Sequence, residues 1–193
     1  MRSVCLNRGG AWLLVGLLCV LLAACATPAR IDSASTGPVF ERTGRFALSV
    51  EHAGGKRDAV QGGFAWRDTA KELRLDLANP LGNTLARVQV VPTRATLIRS
   101  DGSREEAHNP DALVELVLGS PIPVAGLRDW LRGQTGSAPL NLEKDEAGHP
   151  TSFSQQGWRV RLSRYDDQGP RLLQLNRNEA SRNISVRLVI DGS

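Results

Sequence analysis

The sequence predicts a mainly β, α+β domain: one antiparallel sheet curled into an unclosed half-barrel, with short helices as a lid over its open side and an apolar cavity beneath them. Three observations carry this reading. Short segments of period-two alternation fill residues 39–105 and again 139–190, enough for roughly ten or eleven strands. Nearly all are joined by turn-rich hairpins, and nothing alternates as βαβ, so the sheet is antiparallel. Between the two runs lies a stretch with helical periodicity, about the size of two short helices.

Taken in order, the first strand covers Arg45–Glu51, with Phe46, Leu48 and Val50 on one face. The turn Ala53, Gly54, Gly55, Lys56 leads into residues 57–67, whose inward side carries Val60, Gly62, Phe64 and Trp66. The next hairpin organises the chain. Leu73, Leu75 and Leu77 alternate with Arg74 and Asp76, and Ala86, Val88 and Val90 alternate with Arg87 and Gln89 on the way back. Its turn is Asn79, Pro80, Leu81, Gly82, Asn83. Pro presets φ and Gly takes positive φ cheaply, but Leu81 contributes nothing to turn geometry. A leucine at such a tip either packs back on a neighbour or is displayed to something apolar outside. A further strand covers Thr93–Ser100 and ends in the Asp101, Gly102 turn.

The helical stretch opens with Asn109 as N-cap, Pro110 at the first helical position and Asp111 in the first turn. Leu113, Leu116 and Val117 form the expected apolar face, and Gly119 ends the helix. Ser120, Pro121, Ile122 and Pro123 break the chain before a second short helix faced by Leu127, Trp130 and Leu131 and ended by Gly133. Strands return at Leu140–Lys144, Thr151–Gln155, Trp158–Tyr165, Arg171–Arg177 and Ile184–Ile190.

The first 24 residues read as a signal peptide. Arg2 and Arg8 precede an apolar run from Ala11 to Ala24. At roughly 14 residues that run is short for a membrane span, which needs about 20. It ends Leu22, Ala23, Ala24, Cys25, similar to the bacterial lipobox in which the cysteine is acylated; the alternative is an ordinary signal with a chance cysteine. If Cys25 carries lipid, Cys5 and Cys19 leave with the leader and no thiol remains for a disulfide or a cysteine metal site. Ala26 follows Cys25 where an Asp would mark inner-membrane retention, so the expected anchor is in the outer membrane, facing the periplasm. Residues 25–38, small, polar and proline-bearing, are read as a flexible tether, and 39–193 as the folded domain.

Two of the 24 basic residues lie in the leader, leaving 22 against 20 acidic. No run of five or more basic residues occurs, so a nucleic-acid partner is not expected. The catalytic inventory is thin. His52, His108 and His149 are placed in separate turns without acidic partners, and Asp166 with Asp167 reads as a solvated acidic pair. No His-Glu-x-x-His, Gly-x-Ser-x-Gly or phosphate-binding glycine loop is present. The expectation is a binding protein with no catalytic residue, no metal and no cofactor beyond the covalent lipid on Cys25.

With lipobox, half-barrel and helical insert together, the chain resembles the LolB family, the outer-membrane lipoprotein receptors of the lipoprotein localisation (Lol) pathway. The resemblance rests on Leu77, Ala78, Asn79, Pro80, Leu81, Gly82 and on Gly119, Ser120, Pro121, Ile122, Pro123 with Leu127, Arg128, Asp129, Trp130, Leu131, Arg132, Gly133. Gly44, Arg45, Phe46, Ala47 and Gly63, Phe64, Ala65, Trp66 support it. It implies a LolA/LolB-like open barrel with a cavity for acyl chains, filled with lipoprotein cargo by the periplasmic carrier LolA and emptied into outer-membrane phospholipid by a monomer. It also implies that the exposed loop is Asn79–Asn83, with Pro80, Leu81 and Gly82 as the membrane-inserting tip. The candidate lining is Phe46, Phe64, Trp66, Leu75, Leu77, Leu116, Leu127, Trp130 and Trp158, each of which could equally be ordinary core. Two rivals share the fold, an anchored lipid sensor and an anchored scaffold; a lipid-processing enzyme is weaker for want of a nucleophile.

Overall fold

The computed structural model describes residues 38–69 and 71–192. The signal peptide, Cys25 and all but the last residue of the tether lie outside the described residues.

Eleven strands form one sheet. The first six run β1 (Phe40–His52), β2 (Arg57–Asp68), β3 (Leu73–Ala78), β4 (Thr84–Val91), β5 (Arg94–Arg99) and β6 (Arg104–Ala107). Helices α1 (Pro110–Leu118) and α2 (Val124–Trp130) follow. The chain then resumes with β7 (Leu140–Lys144), β8 (Pro150–Gln155), β9 (Trp158–Asp166), β10 (Gly169–Asn178) and β11 (Arg182–Ile190). The order β6-β5-β4-β3-β2-β1-β11-β10-β9-β8-β7 makes two meanders that meet where the first strand pairs with the last. Gly44 stands opposite Ile190 and Val50 opposite Ile184. The edges are β6 and β7, and the helical insert is the connection between them.

The curl follows from the core. Laid flat, eleven strands would be about 50 Å wide. Yet Leu97 of β5 and Phe153 of β8, far apart in the strand order, belong to one continuous cluster of buried side chains. The sheet must therefore wrap. Glycines help it do so. Gly44 faces Phe64 and Gly62 faces Phe46 across β1 and β2. A Cβ at Gly62 would collide with the Ala78 carbonyl oxygen and reach the Phe46 ring at 3.0 Å; one at Gly44 would strike the Val189 carbonyl oxygen and the Phe64 ring. Each phenyl ring covers the opposing glycine, a device for bending a sheet without opening a gap.

Three elements differ from the sequence reading. β1 begins at Phe40, five residues earlier, because Arg42 points inward and is buried against Asp166. The edge strand β6 is almost all polar and carries no alternation to announce it. On α1 the buried residues are Leu113, Val114 and Leu118, while Leu116 is 57% exposed. The stripe 113, 114, 118 turns the helix so that residue 116 faces away from the sheet.

Candidate functional site

The inner face of β1–β3 supplies Phe46, Phe64, Trp66, Leu75 and Leu77 to an apolar cavity. All five are buried. Leu188 of β11 completes the floor, and Val114 of α1, Ile122 of the linker, Leu127 of α2 and Leu131 just beyond it close the space from above. Every lining residue is apolar. The free volume is about 20 Å³, room for roughly one water molecule. The seam between lid and sheet is thus closed, and a chain of methylenes fits only if the helices move off.

Six of the nine residues read from the sequence as lining are therefore brought together here. The other three are not. Leu116 is on the outer face of α1. Trp130 is fully buried but packs edge-on against Phe153 at 5.8 Å, its indole N–H donating to Gln155 Oε1 at 2.9 Å. Trp158 lies on β9 beneath the guanidinium of Arg177. Both tryptophans fill the core of the second meander, away from the seam.

Beside the seam the inner face opens into a vestibule of about 270 Å³. Leu48, Val50, Val60 and Leu118 form its apolar walls, and His52, Asp58, Ser120 and Arg182 stand around it. Leu48 is the next inward residue after Phe46, so the apolar wall is continuous from vestibule to seam.

The lid is held by charge. Asp68, the last residue of β2, is 1% exposed. It accepts from Arg128 Nε at 3.0 Å and Nη2 at 2.7 Å, and pairs with Arg132 Nη1 at 2.8 Å. Arg132 also lies 4.1 Å over the Phe40 ring. Only Asp68 is buried, Arg128 and Arg132 being 44% and 27% exposed, so losing the carboxylate costs its charge-assisted hydrogen bonds, about 3 kcal/mol, and strands no buried cation. At the same end of the sheet Arg42 donates to both oxygens of Asp166 at 2.7 Å, and these bonds hold that carboxyl at about 2, well below the usual carboxylate range. Asp166 is accordingly an ion-pair partner, not a solvated acid. The histidines also differ from expectation. His52 lies 3.0 Å from Asp58, and His149 lies 3.2 Å from Asp145 and stacks on Tyr165.

At the opposite end of the sheet, the end shared with the vestibule, the β3–β4 hairpin carries its tip. Asn79 does the structural work. Its side-chain oxygen accepts from the N–H groups of Leu81 and Asn83 at 2.9 and 3.0 Å, and its carbonyl accepts from Gly82 at 2.9 Å. Gly82 takes φ +88°, a value glycine reaches without strain. The Leu81 side chain takes no part in this network, and the residue is 86% exposed. Pro80 and Gly82 are exposed beside it. The strand that places Leu75 and Leu77 in the cavity wall therefore leads directly into a turn that projects a bare leucine outward.

Among the described residues no group of three or more His, Cys, Asp or Glu side chains is placed to hold a metal, and no helix is long and apolar enough to cross a membrane.

Residues 38–192 match the family model described as outer membrane lipoprotein LolB. The outer-membrane lipoprotein LolB of Bordetella petrii is 53% identical over 185 residues, covering 95% of this chain and 92% of that one. Its counterpart in Bordetella parapertussis is 54% identical, over 93% and 92% of the two chains. That of Cupriavidus necator is 41% identical, over 89% and 90%. Among solved structures, a LolA superfamily protein from Nitrosomonas europaea superposes with a TM-score of 0.44 at 8% identity, covering 79% of this chain and 87% of that one.

Proposed function

The chain belongs to the LolB family of outer-membrane lipoproteins, and from that premise we propose that it is the outer-membrane acceptor that takes acylated lipoproteins from the periplasmic carrier LolA, shelters their acyl chains between lid and sheet, and releases them into the outer membrane. It is a transport protein, not an enzyme. It is held at the membrane by lipid on Cys25 after removal of residues 1–24, with residues 25–38 as tether, and it works as a monomer facing the periplasm.

One observation carries the reading: the hairpin that lines the apolar seam ends in a fully displayed leucine that its own turn does not need. The physics gives that geometry a purpose. Three acyl chains of about 15 carbons each would cost about 35 kcal/mol to expose to water, at about 0.8 kcal/mol per methylene. Transfer is feasible only along a continuous apolar path from donor to bilayer. The vestibule and seam supply such a path within the barrel, and Leu81 supplies a contact with the bilayer. Inserting one leucine is worth about 1.5–3 kcal/mol, near 10- to 100-fold in occupancy of a membrane-touching state. That is too weak to anchor the protein and enough to bias where cargo leaves.

Leu81→Glu is the test. The variant should unfold like the parent and take cargo from the carrier, yet deliver it to vesicles at least tenfold more slowly. Delivery at the parental rate would remove the loop from the mechanism. Failure of the parent to take any cargo from a loaded carrier would overturn the acceptor reading itself.

A further inference from the structure

The outer face of the sheet carries an asymmetry that the acyl-chain path does not use. On the first meander Arg67, Arg74, Arg87 and Arg94 point outward, and each has an acidic partner: Glu41, Asp76, Asp76 again and Glu106. Across β1, β11, β10 and β9 the outward positions hold Arg45, Arg187, Arg161 and Arg159, all exposed. Among the described residues none of these four has an ion-pair partner.

Register brings them together. Arg45 pairs with Val189 and Arg187 with Ala47, making the two arginines diagonal neighbours. Gln174 stands opposite Arg187 on one side and Arg161 on the other, and Arg159 follows Arg161 on the same face. At about 4.8 Å per strand the row spans roughly 14 Å. Its neighbours are Gln174, Asn176 and serines; the acids lie at its margins, Glu143 hydrogen-bonded by Ser152, Glu51 near the β1–β2 turn, and Asp191 just beyond β11, whose N–H donates to the Thr43 carbonyl. The row is also continuous with the hairpin tip. An open groove of about 410 Å³ runs from Arg45 and Gln61 to Asn79, Pro80 and Gly82, at the foot of Leu81. A second of about 320 Å³ holds Arg159 and Arg161 at the other end.

We propose that this arginine row is a docking surface for an anionic phospholipid bilayer, which lays the domain on the membrane with Leu81 as its apolar contact. The occupant follows from charge and continuity. A one-signed row leading directly from an exposed leucine reproduces the pairing of basic patch and apolar contact by which proteins attach to anionic membranes. Its orientation rests on the proposed membrane role of Leu81; the charge attraction does not.

The test uses residues 26–193, which contain every strand and helix among the described residues, in co-sedimentation with vesicles of phosphatidylcholine alone or with a third phosphatidylglycerol. Binding should rise with phosphatidylglycerol and fall at 0.5 M salt. Arg45→Gln, Arg187→Gln, Arg161→Gln and Arg159→Gln combined should lose the gain due to phosphatidylglycerol by a hundredfold or more, at about 1 kcal/mol per arginine and 1.4 kcal/mol per tenfold, while unfolding as the parent does. Arg67→Gln combined with Arg94→Gln, on the other meander, should lose less than threefold. Leu81→Ser, which leaves the charge unchanged, should weaken binding to both vesicle types alike; if it does not, the loop reading fails while the row stands. A parent that ignores phosphatidylglycerol, or a fourfold variant that binds as the parent does, overturns the proposal. Slower cargo uptake from the carrier with unchanged vesicle binding would reassign the row to a protein partner and overturn it equally.

Discussion

The two meanders are built from the same hairpins but do opposite things with their faces. The first, β1–β6, keeps a thin apolar seam inside, closed by the lid, and pairs its outward Arg67, Arg74, Arg87 and Arg94 with acids. The second, β7–β11, is filled inside by Trp158 and Phe153, with Trp130 of α2 packed among them, and leaves its outward arginines open. One half is soft where it faces the lid, and the other is solid. The difference teaches where a carrier of apolar cargo can give way: space opens only where the wall is lined by two separable surfaces, and the lid-to-sheet seam is that place.

The largest effect that would break this contrast is at the floor of the seam. Gly62→Val should prevent cooperative folding altogether, because its side chain meets the Ala78 carbonyl and the Phe46 ring; a sharp urea transition near the parental midpoint would contradict the packing described. In the solid half, Trp158→Ala should cost about 4 kcal/mol in urea unfolding while leaving uptake of a labelled fatty acid within twofold. If uptake collapses with a still-folded protein, the seam extends into the second meander. At the lid, Asp68→Ala should cost about 3 kcal/mol and speed exchange of a fluorescent fatty acid, since two arginines lose the carboxylate that ties α2 to β2. Unchanged exchange with lowered stability would reduce the cluster to a static strut. The smallest effect concerns the tie between the meanders, Arg42 to Asp166. With its folded pKa near 2 and an unfolded value near 3.8, Asp166 contributes stability that is complete above pH about 4 and is lost as pH falls toward 2. Discounted for partial exposure, this is about 1–2 kcal/mol. Asp166→Asn should flatten the stability profile across that window, and thermal melts from pH 2 to 5 would read it.

Most of the strands were legible because alternation is a local signal: Phe46, Leu48 and Val50, or Leu73, Leu75 and Leu77, declare one buried face without reference to the rest of the chain. The N-cap Asn109 was legible for the same reason, and its side chain accepts from Asp111 as expected. What failed depended on partners distant in sequence. Leu113 with Leu116 and Val117, or Leu113 with Val114 and Leu118, are equally good helical stripes, and only docking against β4–β6 chooses between them. Six of the nine candidate lining residues meet at the seam because β1–β3 and the start of α2 are strongly patterned; Trp130 and Trp158 lie in the core of the second meander, where a large aromatic looks in sequence the same as one beside a cavity. Nothing local marks Asp68, whose value lies in an arginine sixty residues away. The arginine row was invisible, since nothing local aligns residues 45, 159, 161 and 187.

The last strand of the fold lies in the middle of the sheet, not at an edge. β11 is the strand that joins the two meanders, with Gly44 waiting for Ile190 across almost the whole length of the domain. As the polypeptide emerges amino-terminus first, the first meander can assemble early, but β1 keeps one side bare until β11 arrives. Loop closure on that scale makes the final step slow and leaves an unpaired, apolar-flanked strand available to any passing neighbour. Removal of β11 would accordingly split the sheet at its centre, and β1 needs protection from wrong partners until β11 has paired.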